Sequence, residues 1–170
     1  LSENLDEIAW VKSLFPESQH YLDVYYQAGL VRSKSVFAHG VHLCDGACQQ
    51  LANNNAAIAH CPTSNLFLGS GLFNLEQAKR FGIDVGLGTD VGAGTSFSMF
   101  KTMDEAYKIQ QLQKGTIDPF SALYMATLGG AKALKLDNKI GNFTPGKEAD
   151  FMFLMIPGPP RRMVTSRFSS

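Results

Sequence analysis

No apolar run in the 170 residues approaches the roughly 20 residues that a membrane-spanning helix requires. Charge of one sign is not in excess either: Lys+Arg and Asp+Glu number 15 each, and the formal net charge is zero. That balance argues against a nucleic acid or a membrane surface held by bulk electrostatics. Cysteine is scarce, with Cys44, Cys48 and Cys61 alone, and an odd count in a chain of this length does not form the disulfide framework of a secreted domain. The first residues carry neither the basic nor the apolar segment of a secretory signal, so a cytoplasmic, reducing compartment is expected. Initiator Met is missing too; the chain opens on Leu1 and reads as a piece of something longer. There is no solenoid-type repeat. What is present is 45% hydrophobic content, enough for one sizeable core and, at this length, one domain rather than two.

Strand and helix signals alternate along the chain. Asn4 with Glu7 three residues on makes a capping-box-like start, and helical spacing then runs to Pro16. A second helix follows from Tyr21 and stops at Gly29. Three units of one kind come next. Apolar runs at 35–39, 56–61 and 83–89 are each followed by a helix, at about 45–54, 74–81 and 98–113. Near-continuous apolar strands of five to seven residues between helices of about ten imply a parallel sheet with helices on its face. After Asp118-Pro119 one helical pattern runs through to Leu136, with Gly129 and Gly130 inside it. Residues 140–150 are turn-rich, 151–156 read as a buried strand, and 157–170 lose all periodicity and read as disordered.

The most informative stretch is Val85-Gly86-Leu87-Gly88-Thr89-Asp90, continuing through Gly92 and Gly94. It delivers one carboxylate from a strand end into a glycine-rich loop, a placement suited to metal binding or proton transfer. A phosphate-cradle reading fails, because the glycines miss the Gly-x-Gly-x-x-Gly spacing and Asp90 would repel a pyrophosphate. The earlier runs also end in chemistry-bearing residues, His39 and His60-Cys61. Functional groups at the C-terminal ends of parallel strands are the rule in (β/α)8 barrels, and open doubly wound sheets follow a similar rule. Taken singly, these residues have plainer readings. Glu3 is a solvated carboxylate at a helix start, and His39 is a satisfied strand-end histidine. His42 lies in a loop, His20 on the surface, and His60 in a hydrogen-bonded structural role. Cys61 is a small buried residue, and Cys44 with Cys48 form a helix pair lacking further metal ligands.

Three segments in order change the weight of these readings: Phe37-Ala38-His39-Gly40-Val41-His42-Leu43; Ala59-His60-Cys61-Pro62-Thr63-Ser64-Asn65 through to Asn74; and the Asp90 loop. Together they resemble the C-terminal part of the guanine deaminases, within the amidohydrolase superfamily of metal-dependent hydrolases. The stretch from Ala126 to Leu134 and the segment from Ile140 to Phe151, with Pro145-Gly146-Lys147-x-Ala149-Asp150, resemble that family beyond its last barrel strand. The Asp90 loop and the Pro145 segment are shared by many amidohydrolases. Ser64-Asn65-Leu66-x-Leu68-Gly69-Ser70-Gly71-Leu72-Phe73 is what favours the guanine deaminases.

The resemblance implies a fold, a site and a reaction. The fold is α/β, the C-terminal part of a (β/α)8 barrel with about three βα units plus trailing helices, since three strands do not close a barrel of about 250 residues. Its divisions are 1–137 for the partial barrel, 138–156 for a remnant of a small β-domain and 157–170 for the tail. The catalytic set is Glu3, His39 and Asp90, with Glu3 and Asp90 also touching substrate and Asp90 ligating one zinc. The other ligands, three histidines, would lie upstream of Leu1. The reaction is hydrolytic deamination of guanine to xanthine and ammonia, in a full-length homodimer that engages neither nucleic acid nor membrane. By itself the chain is expected to be inactive. Two rivals stand beside this reading: an amidohydrolase acting on a triazine or another aminated heterocycle, and a non-enzymatic half-barrel that associates through its open edges.

Overall fold

The computed structural model describes residues 1–154. Its centre is a three-stranded parallel sheet in the order β1-β2-β3, formed by Val36–Ala38, Ala57–His60 and Val85–Leu87. Register pairs Ala38 with Ala59 and Ala59 with Gly86, so the three C-terminal strand ends emerge side by side. These are the three apolar runs expected from sequence, each shortened at both ends. The coarse class, α/β with parallel strands, stands.

Eight helices surround the sheet among the described residues: α1 Leu5–Leu14, α2 Tyr21–Gln27, α3 Asp45–Asn53, α4 Pro62–Phe67, α5 Leu75–Arg80, α6 Met99–Leu112, α7 Pro119–Ala126 and α8 Leu128–Ala133. The cap of α1 is the one its sequence implies. Asn4 accepts from the Glu7 amide at 2.8 Å, and the Glu7 carboxylate accepts from the Glu3 amide at 3.2 Å. Leu22, Val31, Leu51, Ile58, Phe73, Leu75, Val85, Ile117 and Met125 join in one buried cluster under the sheet and its covering helices.

Four expectations need correction. First, α4 occupies a stretch read as loop. Pro62 sits at its first position, where a missing N–H costs nothing, and the Thr63 and Asn65 side chains are drawn inward by tertiary partners. Second, the long helix after Asp118 is broken at Thr127, whose φ of −130° and ψ of −100° are not helical. The break lets α8 turn onto β3, where a Cβ on Gly86 would stand 3.0 Å from the Gly130 Cα. Third, His20 is half-buried rather than on the surface; its Nδ1 caps α2 by accepting from the Asp23 amide at 3.1 Å. Fourth, residues 151–154 of the expected buried strand form no strand and are exposed, with the Phe151 ring against those of Phe143 and Phe153. An apolar run becomes a strand only when it pairs with an edge, and residues 151–154 pair with neither β1 nor β3. Residues 155–156 of that run, and the tail expected at 157–170, lie outside the described residues.

Candidate functional site

The sheet delivers its chemistry at the C-terminal strand ends. Residues 1 and 2 lie along β1: Gly40 donates to the Leu1 carbonyl and His42 to the Ser2 carbonyl, each at 3.0 Å. That pairing brings Glu3 level with His39. His39 Nε2 stands 3.5 Å from Glu3 Oε2 and 3.8 Å from Asp90 Oδ2. The three residues named from sequence therefore meet at one point, although 87 positions separate the first from the last in the chain.

The backbone there is strained. Ser2, His39 and Asp90 have φ of +48°, +73° and +47°, a region that L-residues other than glycine rarely enter. Such strain persists where the surroundings over-determine it, which is typical of functional sites. Around Asp90 the loop closes on itself, with Gly94 N–H donating to the Asp90 carbonyl at 2.6 Å. A Cβ on Gly94 would fall 1.9 Å from the Thr89 carbonyl oxygen, so only glycine closes this loop.

Two buried polar side chains reach the trio from the segment after β2. Asn65 Nδ2 lies 3.0 Å from His39 Nδ1 and 3.3 Å from Glu3 Oε1, and Ser70 Oγ donates to the same Glu3 oxygen at 2.9 Å. Sequence reasoning assigned neither residue a role. The signal was available, because both sit in the Ser64-to-Phe73 stretch that carried the most specific part of the resemblance. His42 Nε2 donates to the Ser70 carbonyl at 2.8 Å and so steadies this loop from outside the trio.

His60 and Cys61 behave differently. His60 is fully buried and stacks on Phe73 at 4.6 Å between ring centroids, and neither ring nitrogen has a hydrogen-bond partner. The hydrogen-bonded role expected of it is therefore not found. Burial, with the nearby His39 adding to it, drives its pKa down to about 3, and the ring stays neutral. Cys61 is buried as expected, and its thiol is pushed up to about 11 by burial and then by Asp90.

His39, Cys61 and Asp90 nonetheless offer three ligand atoms within 4.8 Å of one another. Imidazole, sulfur and carboxylate are the donor types of zinc sites, so the donor set fits a zinc-like ion. An ion using Cys61 would first have to displace its proton. The helix pair Cys44 and Cys48 does not join any such group among the described residues.

A parallel sheet with imidazole and carboxylates converging at its strand ends is the architecture of a metal-dependent hydrolase, and the chain belongs to the amidohydrolase family, whose model matches residues 1–166. Among its relatives, guanine deaminase of Escherichia coli is 57% identical over 154 residues, covering 91% of this chain and 35% of that protein. Its solved structure superposes with a TM-score of 0.86 at 58% identity, over 88% of this chain and 34% of that one. Guanine deaminase from C. acetobutylicum, solved with guanine in its active site, gives 0.79 at 37% identity over 86% and 36%. An adenosine deaminase from Xanthomonas campestris, solved with bound zinc, gives 0.80 at 29% identity over 88% and 34%. Solved triazine hydrolases stand at 22% to 24% identity, a likeness of fold alone. The chain spans about a third of the length of the curated relatives it matches.

Proposed function

We propose that the whole protein carrying this chain deaminates guanine hydrolytically, giving xanthine and ammonia, and that Glu3, His39 and Asp90 are its catalytic residues. The observation that carries this reading is the meeting of those three side chains at one sheet end, within 3.8 Å along His39 Nε2. The guanine deaminases among the relatives supply the substrate. The same proposal takes the chain as the C-terminal part of a (β/α)8 barrel, with 1–137 as barrel, 138–156 as a remnant of a small β-domain and 157–170 as a tail. It takes the whole protein as a cytoplasmic homodimer. No described helix is long and apolar enough to cross a membrane.

Asp90 would hold the metal, proposed to be zinc. When bound, such an ion supplies a water acidic enough to ionise near neutral pH, its pKa falling to about 7. The protein's own groups do the rest. Asp90 orients the attacking water and takes its proton. Glu3 carries a proton to the ring nitrogen beside the attacked carbon, and then to the departing ammonia. His39 Nε2, facing both carboxylates, stabilises negative charge developing on the attacking oxygen. Asp90 is a single carboxylate and one carboxylate does not hold such an ion well, so the 170-residue chain by itself is expected to turn over no guanine.

The test is guanine turnover by the purified whole protein, followed as xanthine and ammonia, beside Glu3→Gln. We expect turnover by the parent and a loss of about 10²- to 10⁴-fold in the variant. A variant as fast as the parent would remove Glu3 from the mechanism. Turnover of a triazine with none of guanine would overturn the substrate.

A further inference from the structure

We propose that Asn65 is a positioning residue: it fixes His39 in the tautomer that carries its proton on Nε2, and it ties that choice to Glu3. The inference rests on the roles given above to His39 and Glu3 and adds a cause for the direction in which His39 donates.

Asn65 has no exposed surface, and its amide nitrogen stands between two site residues, 3.3 Å from Glu3 Oε1 and 3.0 Å from His39 Nδ1. An ionised carboxylate only accepts hydrogen bonds, so the amide must turn its nitrogen, not its oxygen, towards Glu3. Ser70 Oγ donates to that same Oε1 and leaves the carboxylate no freedom to rotate away. With Nδ2 held in place, the facing Nδ1 of His39 meets a donor and must itself be the acceptor. A neutral imidazole with an accepting Nδ1 bears its hydrogen on Nε2, the atom directed at Glu3 Oε2 and Asp90 Oδ2. The choice thus passes from carboxylate to amide to imidazole.

Packing does not account for an asparagine here. Its side-chain oxygen is buried without a partner, whereas leucine, of similar shape, would fill the place and leave no orphaned atom. Its place on α4, one turn beyond Cys61, also gives a task to the most distinctive sequence stretch in the chain. Second-layer partners that set a histidine's orientation commonly alter function by 10- to 100-fold when removed.

The experiment is long-range ¹H–¹⁵N NMR on the metal-free whole protein with ¹⁵N-labelled histidine, at about pH 8.5, where an ordinary imidazole is neutral. In the parent we expect His39 to show an unprotonated Nδ1 and a protonated Nε2. Asn65→Asp presents an acceptor to Nδ1 and should reverse the pattern, while Asn65→Leu should give a mixture. His42 serves as an internal control and should not change. A parent His39 protonated on Nδ1, or an unchanged pattern in folded Asn65→Asp, would overturn the proposal; the parent spectrum decides even if neither variant folds. In turnover, Asn65→Asp should lower kcat about 10- to 100-fold with KM little altered. The expected tautomer in a protein inert toward guanine would sink the functional reading and uphold this one. Guanine turnover with the opposite tautomer would do the reverse.

Discussion

His39 and His60 stand at neighbouring positions, each at the C-terminal end of its strand, and they share almost nothing else. His39 turns outward on a left-handed backbone with polar groups at both ring nitrogens: Asn65 on one, Glu3 and Asp90 near the other. His60 continues its strand into the core and lies against Phe73, and its ring nitrogens have no hydrogen-bond partner among the described residues. The strand pattern alone gives both the same standing. Their difference comes from the backbone: one residue of left-handed twist moves a side chain from the packed layer into the site.

The largest test of this contrast is Phe73→Ala. Phe73 is among the largest fully buried side chains and forms the wall against His60, so its loss should cost about 3–5 kcal/mol in urea unfolding. A cost below about 1 kcal/mol would mean that His60 is not enclosed as described. A second test uses pH. Above its ordinary value of 6.5, His60 is neutral in both folded and unfolded chains and adds no penalty. Below it, the unfolded chain takes up the proton while the folded one does not until about pH 3. Stability should therefore fall by about 1.4 kcal/mol per pH unit through that window from this residue alone. His60→Leu should remove that increment of slope, and parallel pH profiles for parent and variant would contradict a neutral, orphaned His60. The smallest effect belongs to the solvent. Lys108 pairs with the exposed Asp104 at 2.7 Å on α6 and reaches the less exposed Glu105 at 3.2 Å, which keeps Lys101 as a partner at 2.6 Å. Lys108→Ala should leave the unfolding midpoint unmoved, because exposed pairs are screened and entropically costly. A clear shift would show that charge at the surface, not enclosure, separates strong from weak positions in this protein.

How much of this was legible beforehand follows from which forces act locally. The three strands were readable as continuous apolar runs, and Asn4 announced its helix through a side-chain cap. Glu3, His39 and Asp90 were readable through the resemblance, not through periodicity. What escaped depended on contacts distant in sequence. Thr63, Ser64 and Asn65 are weak helix formers, and tertiary partners hold Thr63 and Asn65 in α4. The break at Thr127 is invisible in a run of Ala, Leu and Met, since its cause is a strand some forty residues earlier. The run from Phe151 looked like a strand because hydrophobicity does not say whether an edge is free to receive it.

The contact of Gly86 with Gly130 has one more consequence. A side chain trapped between helix and strand can change rotamer and absorb a small displacement; two facing α-carbons cannot. Where they touch, α8 acts as a hard stop for β3, and the strand's height above the helix layer is gauged by bare backbone. Asp90 is carried four residues beyond that stop. A methyl group added at Gly86 would be read out at the far end of the strand as a misplaced carboxylate, as a shim under one end of a beam lifts the other.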